Sequence, residues 1–193
     1  GFRPVNYKIS APKEEKILKK FHITKKDPYI FFVGRLETKK NLARLVQAFA
    51  IMRKKYPDWR LILGGGRGVG FRAILQALEK ERMLTHVILP GYLTEEEKHV
   101  LLRHANIFAF PSLSEGFGFP VLEAASHGTP VLASRIPALL DFQEFVDVFV
   151  DGKDPGSIAE GLDMLARKRF VPQKSSLVSA YSWKKAASNV WKL

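Results

Sequence analysis

The sequence has 193 residues, 46% hydrophobic and 26% charged, enough for one domain with a buried core and too apolar for a disordered chain. It holds no cysteine, which excludes disulfides and thiolate metal sites and fits a reducing, cytoplasmic setting. No apolar run approaches the roughly 20 residues of a membrane span and no signal-peptide core is visible, while the net charge of +12 favours an anionic partner.

Residues 1–40 carry eleven Lys and Arg against four Asp and Glu. The economical reading of "KEEKILKKFHITKKD" is a solvated basic face, with a nucleotide, a nucleic acid or an anionic membrane surface as the alternatives. A short basic helix is predicted near residues 13–21. "PYIFFVG" (28–34) then reads as a strand buried on both faces and closed by glycine. "NLARLVQAFAIMRKKYP" places Leu42, Leu45, Val46, Phe49 and Met52 on one helix face, ended by Pro57. "WRLILGGG" gives a second strand, "FRAILQALEKERM" a helix and "HVILPG" a third strand.

Thr94 and Glu97 have the spacing of a capping box opening the helix "EEEKHVLLRHA". "NIFAF" is a fourth strand, "PVLEAASHG" a helix closed by Gly128, "PVLAS" a fifth strand and "DVFVD" a sixth. "SIAEGLDMLARK" is an amphipathic helix, and the tail "SAYSWKKAASNVWKL" reads as helix again. This alternation predicts an α/β fold with a doubly wound, mostly parallel, Rossmann-like sheet of about six strands. Ligands of such sheets bind beyond the carboxyl ends of the strands, where the glycine-bearing stretches gather.

In "GRLETKKN", Arg35 projects from the rim, and Lys39 and Lys40 stand at a helix opening whose dipole disfavours cations. A bound diphosphate would remove that cost. "GGGRGVG" (64–70) fits a dinucleotide fingerprint through Gly68, Gly70 and Ala73, but the next strand ends without the acidic residue a ribose requires. A flexible turn around Gly65, with its amides near a ligand, explains the glycines as well. In "PSLSEGFGFPVLEAASHG", Pro120 suits the first helical position, and the turn Gly116–Phe119 offers free amides. Glu115 before the turn and Glu123 on the first helical turn suit the hydroxyls of a sugar or ribose; read without a ligand, they are a loop charge and a dipole-favoured side chain. For His127, packing or hydrogen bonding is the economical role.

Taken in order, "GRLETKKN", "LILGGGRG", "HVILPGYL", "ANIFAFPSLSEGFGFPVLEAASHGTPVLAS" and "YSW" resemble the nucleotide-sugar half of retaining glycosyltransferases with the GT-B fold, in the large group 1 family (family four). The resemblance implies that Arg35 and Lys40 hold the donor diphosphate and stabilise it as leaving group. Glu123 would receive the ribose hydroxyls, and Glu115 the transferred hexose-type sugar. Gly116, Phe117, Gly118 and Phe119 would surround sugar and phosphate, with Gly91 and Tyr92 beside the base. It further implies retention of configuration with no obligatory metal or cofactor, and a UDP-, GDP- or ADP-sugar as donor.

Two stretches depart from the family pattern. Gly64-Gly65-Gly66-Arg67 stands where an aspartate is common in a G-D-G turn, and Asp141 lies where a proline-glutamate pair is expected. The family's acceptor-binding N-terminal domain has no counterpart here. The expectation is therefore a single donor-binding domain over 1–193, the C-terminal half of a two-domain enzyme, with 181–193 as a crossover helix. An anionic membrane face or lipid-linked acceptor is a further expectation raised by the basic residues. A non-catalytic nucleotide-sugar-binding subunit is the alternative. A nucleic-acid-binding module is disfavoured, because no recognisable motif accompanies the charge.

Overall fold

The computed structural model describes residues 9–167; the expectations placed on residues 1–8 and on the tail, including the crossover helix, lie outside the described residues. Six strands form one parallel sheet: β1 (Tyr29–Val33), β2 (Arg60–Gly64), β3 (Val87–Gly91), β4 (Ile107–Phe110), β5 (Val131–Ser134) and β6 (Val148–Val150). Their order is β3-β2-β1-β4-β5-β6, the doubly wound arrangement expected from the sequence. The chain winds outward from β1 to β3, then returns to β4 on the other side of β1. The point where it reverses lies between β1 and β4.

The helices are α1 (Ala11–Lys20), α2 (Leu42–Arg53), α3 (Phe71–Lys80), α4 (Glu95–His104), α5 (Phe119–Ser126), α6 (Pro137–Leu140) and α7 (Pro155–Arg167). Helix α2 packs beside α3 and α7, while α4 packs beside α1 and α5, so helices cover both faces of the sheet. That coverage explains the unbroken apolar runs: Ile30, Phe31, Phe32, Ile107, Phe108, Ala109 and Phe110 are all fully buried. Tyr29 keeps its place in that core by donating its hydroxyl to the Leu101 carbonyl at 2.7 Å, and burial pushes its pKa well above the usual phenol value.

The capping box forms as expected. Thr94 Oγ1 accepts from the Glu97 N–H at 3.2 Å, and Glu97 Oε2 accepts from the Thr94 N–H at 2.9 Å. The basic α1 is less free than its composition suggests: Lys13 and Lys20 pair with Glu96 and Glu97 of α4 at 2.7 and 2.6 Å.

Three boundaries differ from expectation. Lys39 and Lys40 sit in a 3-10 turn (Thr38–Lys40) ahead of α2, because Asn41 takes a left-handed conformation, φ 61°, and delays the helix. Helix α5 begins at Phe119 behind a left-handed Gly118, so Pro120 is its second residue and Glu123 belongs to its second turn. The segment 137–145 also forms α6 and a 3-10 turn (Gln143–Phe145), neither of which has a readable periodicity.

The loops after β1 and β2 are joined by backbone hydrogen bonds from Leu36 N–H to Gly66 O, Gly68 N–H to Leu36 O and Thr38 N–H to Val69 O. Gly65 makes this approach possible. Its φ is 136°, and a Cβ there would stand 1.9 Å from the Gly34 carbonyl oxygen. Gly66, by contrast, has open space around it. Gly65→Ala is expected to lower the unfolding free energy by about 3 kcal/mol and Gly66→Ala by less than about 1 kcal/mol in urea titrations. Equal losses would contradict the close-approach role.

Candidate functional site

The rim at the carboxyl ends of β1 and β4 carries most of the residues singled out in the sequence. After β1 the chain runs through Gly34, the exposed Arg35 and the buried Leu36 into the 3-10 turn. Arg35 lies over the neighbouring glycine loop, since a Cβ on Gly68 would come within 3.1 Å of Arg35 Cγ. After β4 the chain runs through the buried Pro111 and Ser112 to the turn 116–119.

These two loops are tied by three consecutive residues. The Lys39 carbonyl accepts from the Leu113 N–H at 2.8 Å. Lys40 Nζ donates to both carboxylate oxygens of Glu115, at 2.6 and 2.7 Å. The Asn41 side-chain amide donates to the Pro111 carbonyl at 2.9 Å and to the Gly152 carbonyl at 2.6 Å, while its oxygen accepts from Arg44. Asn41 is only 4% exposed, so its loss would leave two carbonyls without that donor.

The Lys40–Glu115 contact joins two residues to which the resemblance gives separate roles, one at the diphosphate and one at the sugar. Their side chains are 12% and 8% exposed, and the ammonium also lies 5.1 Å from the centre of the Phe110 ring. The physical reason is that a cation and a carboxylate brought together at a half-closed rim are paired rather than left separately desolvated. Glu115 thereby supplies the negative charge that sequence reasoning had assigned to a diphosphate alone.

Glu123 is also partnered, and its expected first-turn position is corrected to the second turn of α5. Lys98 Nζ of α4 donates to Glu123 Oε1 at 3.0 Å and pairs with Glu95 at 2.9 Å. Burial acts to lower the Lys98 pKa, but the hydrogen bonds and charges of Glu95 and Glu123 outweigh it and raise the value. Nothing local in the sequence signals Lys98 as the partner of a residue 25 positions away.

The turn 116–119 is anchored from behind. The rings of Phe117 and Phe119 are 4.4 Å apart, and Phe117 meets Phe142 edge-on at 5.0 Å. A Cβ on Gly118 would stand 2.7 Å from Leu139 Cδ2, so α6 and the following residues hold the glycine turn in place. At the β3 end, the Gly91 carbonyl accepts from the Gly65 N–H at 2.7 Å, and Tyr92 is 85% exposed. His127, just past α5, has its Nε2 2.7 Å from His99 Nδ1, in line with the hydrogen-bonding role. Burial and then the neighbouring His99 push the His127 pKa down to about 4.

Lys40 and Glu115 thus meet across the switch point, Arg35 leaves the end of β1 on the side of the β2 glycine loop, and the turn 116–119 continues from Glu115. Gly65, Gly91 and Tyr92 line the adjoining rim of β2 and β3, while Glu123 lies one turn into α5. Asn41 escaped sequence reading, although a polar residue directly before an apolar helix is a capping signal that pointed at the position.

Over residues 13–180 the chain matches the model of the family described as glycosyl transferases group 1. It is 34% identical over 185 aligned residues to a D-inositol 3-phosphate glycosyltransferase of Corynebacterium urealyticum, covering 85% of this chain and 42% of that protein. A solved structure of Anabaena HepE in complex with UDP and glucose superposes with a TM-score of 0.81 at 17% identity, over 100% of this chain and 56% of that one. The C-terminal domain of a group 1 family glycosyl transferase from Francisella tularensis superposes with a TM-score of 0.74 at 23% identity, over 93% and 97% of the two chains. The chain spans 35 to 52% of the length of the first curated relatives it matches.

The ion pair gives a direct stability test. Lys40→Met should cost about 3 kcal/mol by stranding a nearly buried carboxylate. Combining it with Glu115→Gln should recover part of that loss, with a coupling of about 2 kcal/mol in a double-mutant cycle read by urea unfolding. Strictly additive losses would show that the two side chains do not support one another.

Proposed function

Since this chain belongs to the group 1 glycosyl transferases, we propose that it is the donor-binding half of a retaining, metal-independent enzyme that transfers a hexose-type sugar from a nucleoside diphosphate to an acceptor. The observation that carries the reading is the joining of a cationic loop and an amide-rich turn across the switch point between β1 and β4. Doubly wound sheets bind ligands at such a crevice. The superposition with a protein whose structure contains UDP and glucose supports a nucleotide sugar as the ligand and makes UDP the first nucleotide to test.

In this reading the diphosphate lies between Arg35 and Lys40 on one side and the amides of residues 116–119 on the other. A lysine ammonium has three N–H donors, and Glu115 takes two from Lys40, which leaves one for a phosphate oxygen. As the bond between the sugar's anomeric carbon and the β-phosphate oxygen breaks, negative charge accumulates on the departing diphosphate. Arg35, Lys40 and the amides at the α5 N-terminus stabilise it there. Glu115, held by Lys40, presents its carboxylate to sugar hydroxyls. Glu123 accepts from the ribose, with Lys98 on Oε1 fixing its rotamer. The acceptor site belongs to a further domain, so the chain alone binds donor with little turnover.

Calorimetric titration with UDP, GDP, ADP and their sugar conjugates tests the assignment. Glu123→Ala is expected to weaken every nucleoside diphosphate roughly tenfold, the effect of one hydrogen bond to a charged group. Glu115→Gln should weaken the sugar conjugate more than the free diphosphate, which loses only the fixed orientation of Lys40. Identical isotherms for the wild type and both variants would remove the basis of the reading.

A further inference from the structure

The Asn41 carboxamide has two orientations about its last torsion, and only one serves the rim. With the nitrogen facing the Pro111 and Gly152 carbonyls, both N–H groups are donated, at 2.9 and 2.6 Å. Turned over, the same group would set its oxygen against two carbonyl oxygens and lose both bonds. The oxygen then needs a donor of its own, because Asn41 is almost closed to solvent.

Arg44 is that donor. Its Nη1 donates to Asn41 Oδ1 at 2.9 Å from three residues further along the chain. Nothing else accounts for a cation at this position. Arg44 is half-buried in the first turn of α2, where the helix dipole disfavours positive charge. Among the described residues it forms no ion pair with a carboxylate. The two carbonyls alone favour the observed orientation of the amide. Arg44 adds a hydrogen bond from a charged donor, and it removes the alternative in which a bare Oδ1 draws the side chain out toward water.

The consequence reaches Glu115. Asn41 holds the Pro111 carbonyl, the Lys39 carbonyl holds the Leu113 N–H, and Lys40 holds the Glu115 carboxylate. Among the described residues, Arg44 has no hydrogen bond to the segment 111–115 itself.

We propose that Arg44 is a positioning residue for donor binding: by occupying Asn41 Oδ1 it locks the amide that clips the loops after β4 and β6 to the loop after β1, and so sets the place of Glu115 and the turn 116–119. Its effect on ligand affinity rests on the donor reading, whereas its effect on the loops does not. Arg44 acts through Asn41 and not by its own charge on the ligand.

The test is a double-mutant cycle read as UDP affinity, by calorimetry at a temperature where circular dichroism shows every variant folded. Arg44→Met keeps an apolar stem and removes the donor. Asn41→Gly removes the amide and accommodates the left-handed backbone at that position. Arg44→Met is expected to weaken UDP about tenfold when Asn41 is present, and less than about twofold when it is already glycine. A guanidinium that touched the diphosphate would give the same loss in both backgrounds, and that result would overturn the proposal. So would full affinity in Arg44→Met alone. If the unsubstituted chain does not bind UDP, the donor reading falls, and amide chemical shifts decide the positioning role. Arg44→Met must then move the Asn41 side-chain amide and the backbone amides of Leu113, Glu115 and Gly152. Shifts confined to residues 42–48 would overturn it.

Discussion

Lys39, Lys40 and Asn41 hold the segment 111–115 by a backbone hydrogen bond, a nearly buried ion pair and a buried amide bridge. The two loops start from β1 and β4, which are neighbours in the sheet but lie far apart in the chain. Strand pairing brings the loop roots together, and this clip fixes what lies above them. Its geometry depends on Asn41 adopting a left-handed backbone, one of the few non-glycine residues that does so readily. The same side chain reaches the Gly152 carbonyl, so one residue sets the relative position of the β1, β4 and β6 loops.

The clip gives the charges at the rim a defined orientation. A free lysine beside a helix opening would be mobile and electrostatically disfavoured there. Paired with Glu115 and packed near Phe110, Lys40 becomes a fixed donor, and Glu115 a fixed acceptor. Lys98 does the same for Glu123 from the neighbouring helix. Under the donor reading, such pairs reduce the rearrangement required when a polar ligand arrives, which is the main contribution a rigid scaffold makes to electrostatic stabilisation.

Much of this was legible in the sequence, for identifiable reasons. The runs "YIFFV" and "NIFAF" declared strands covered on both faces, and Thr94 with Glu97 declared a helix start, because these signals are local. The rim residues were legible as a set, since Arg35, Lys40 and Glu115 all follow strand ends. Their pairing was not: Lys40 and Glu115 are 75 positions apart, and only the strand order makes them neighbours. The α6 segment was missed because four helical residues leave no period to detect, although Leu139 is what confines Gly118.

The central claim is that the clipped loops at the switch point form a diphosphate site, and a crystal structure of the chain with UDP tests it most directly. The account predicts phosphate oxygens at about 3 Å from Arg35, Lys40 and the amides of residues 116–119, with the ribose hydroxyls on Glu123. A diphosphate bound at any other part of the rim, with the Lys40–Glu115 pair untouched by ligand, would contradict it.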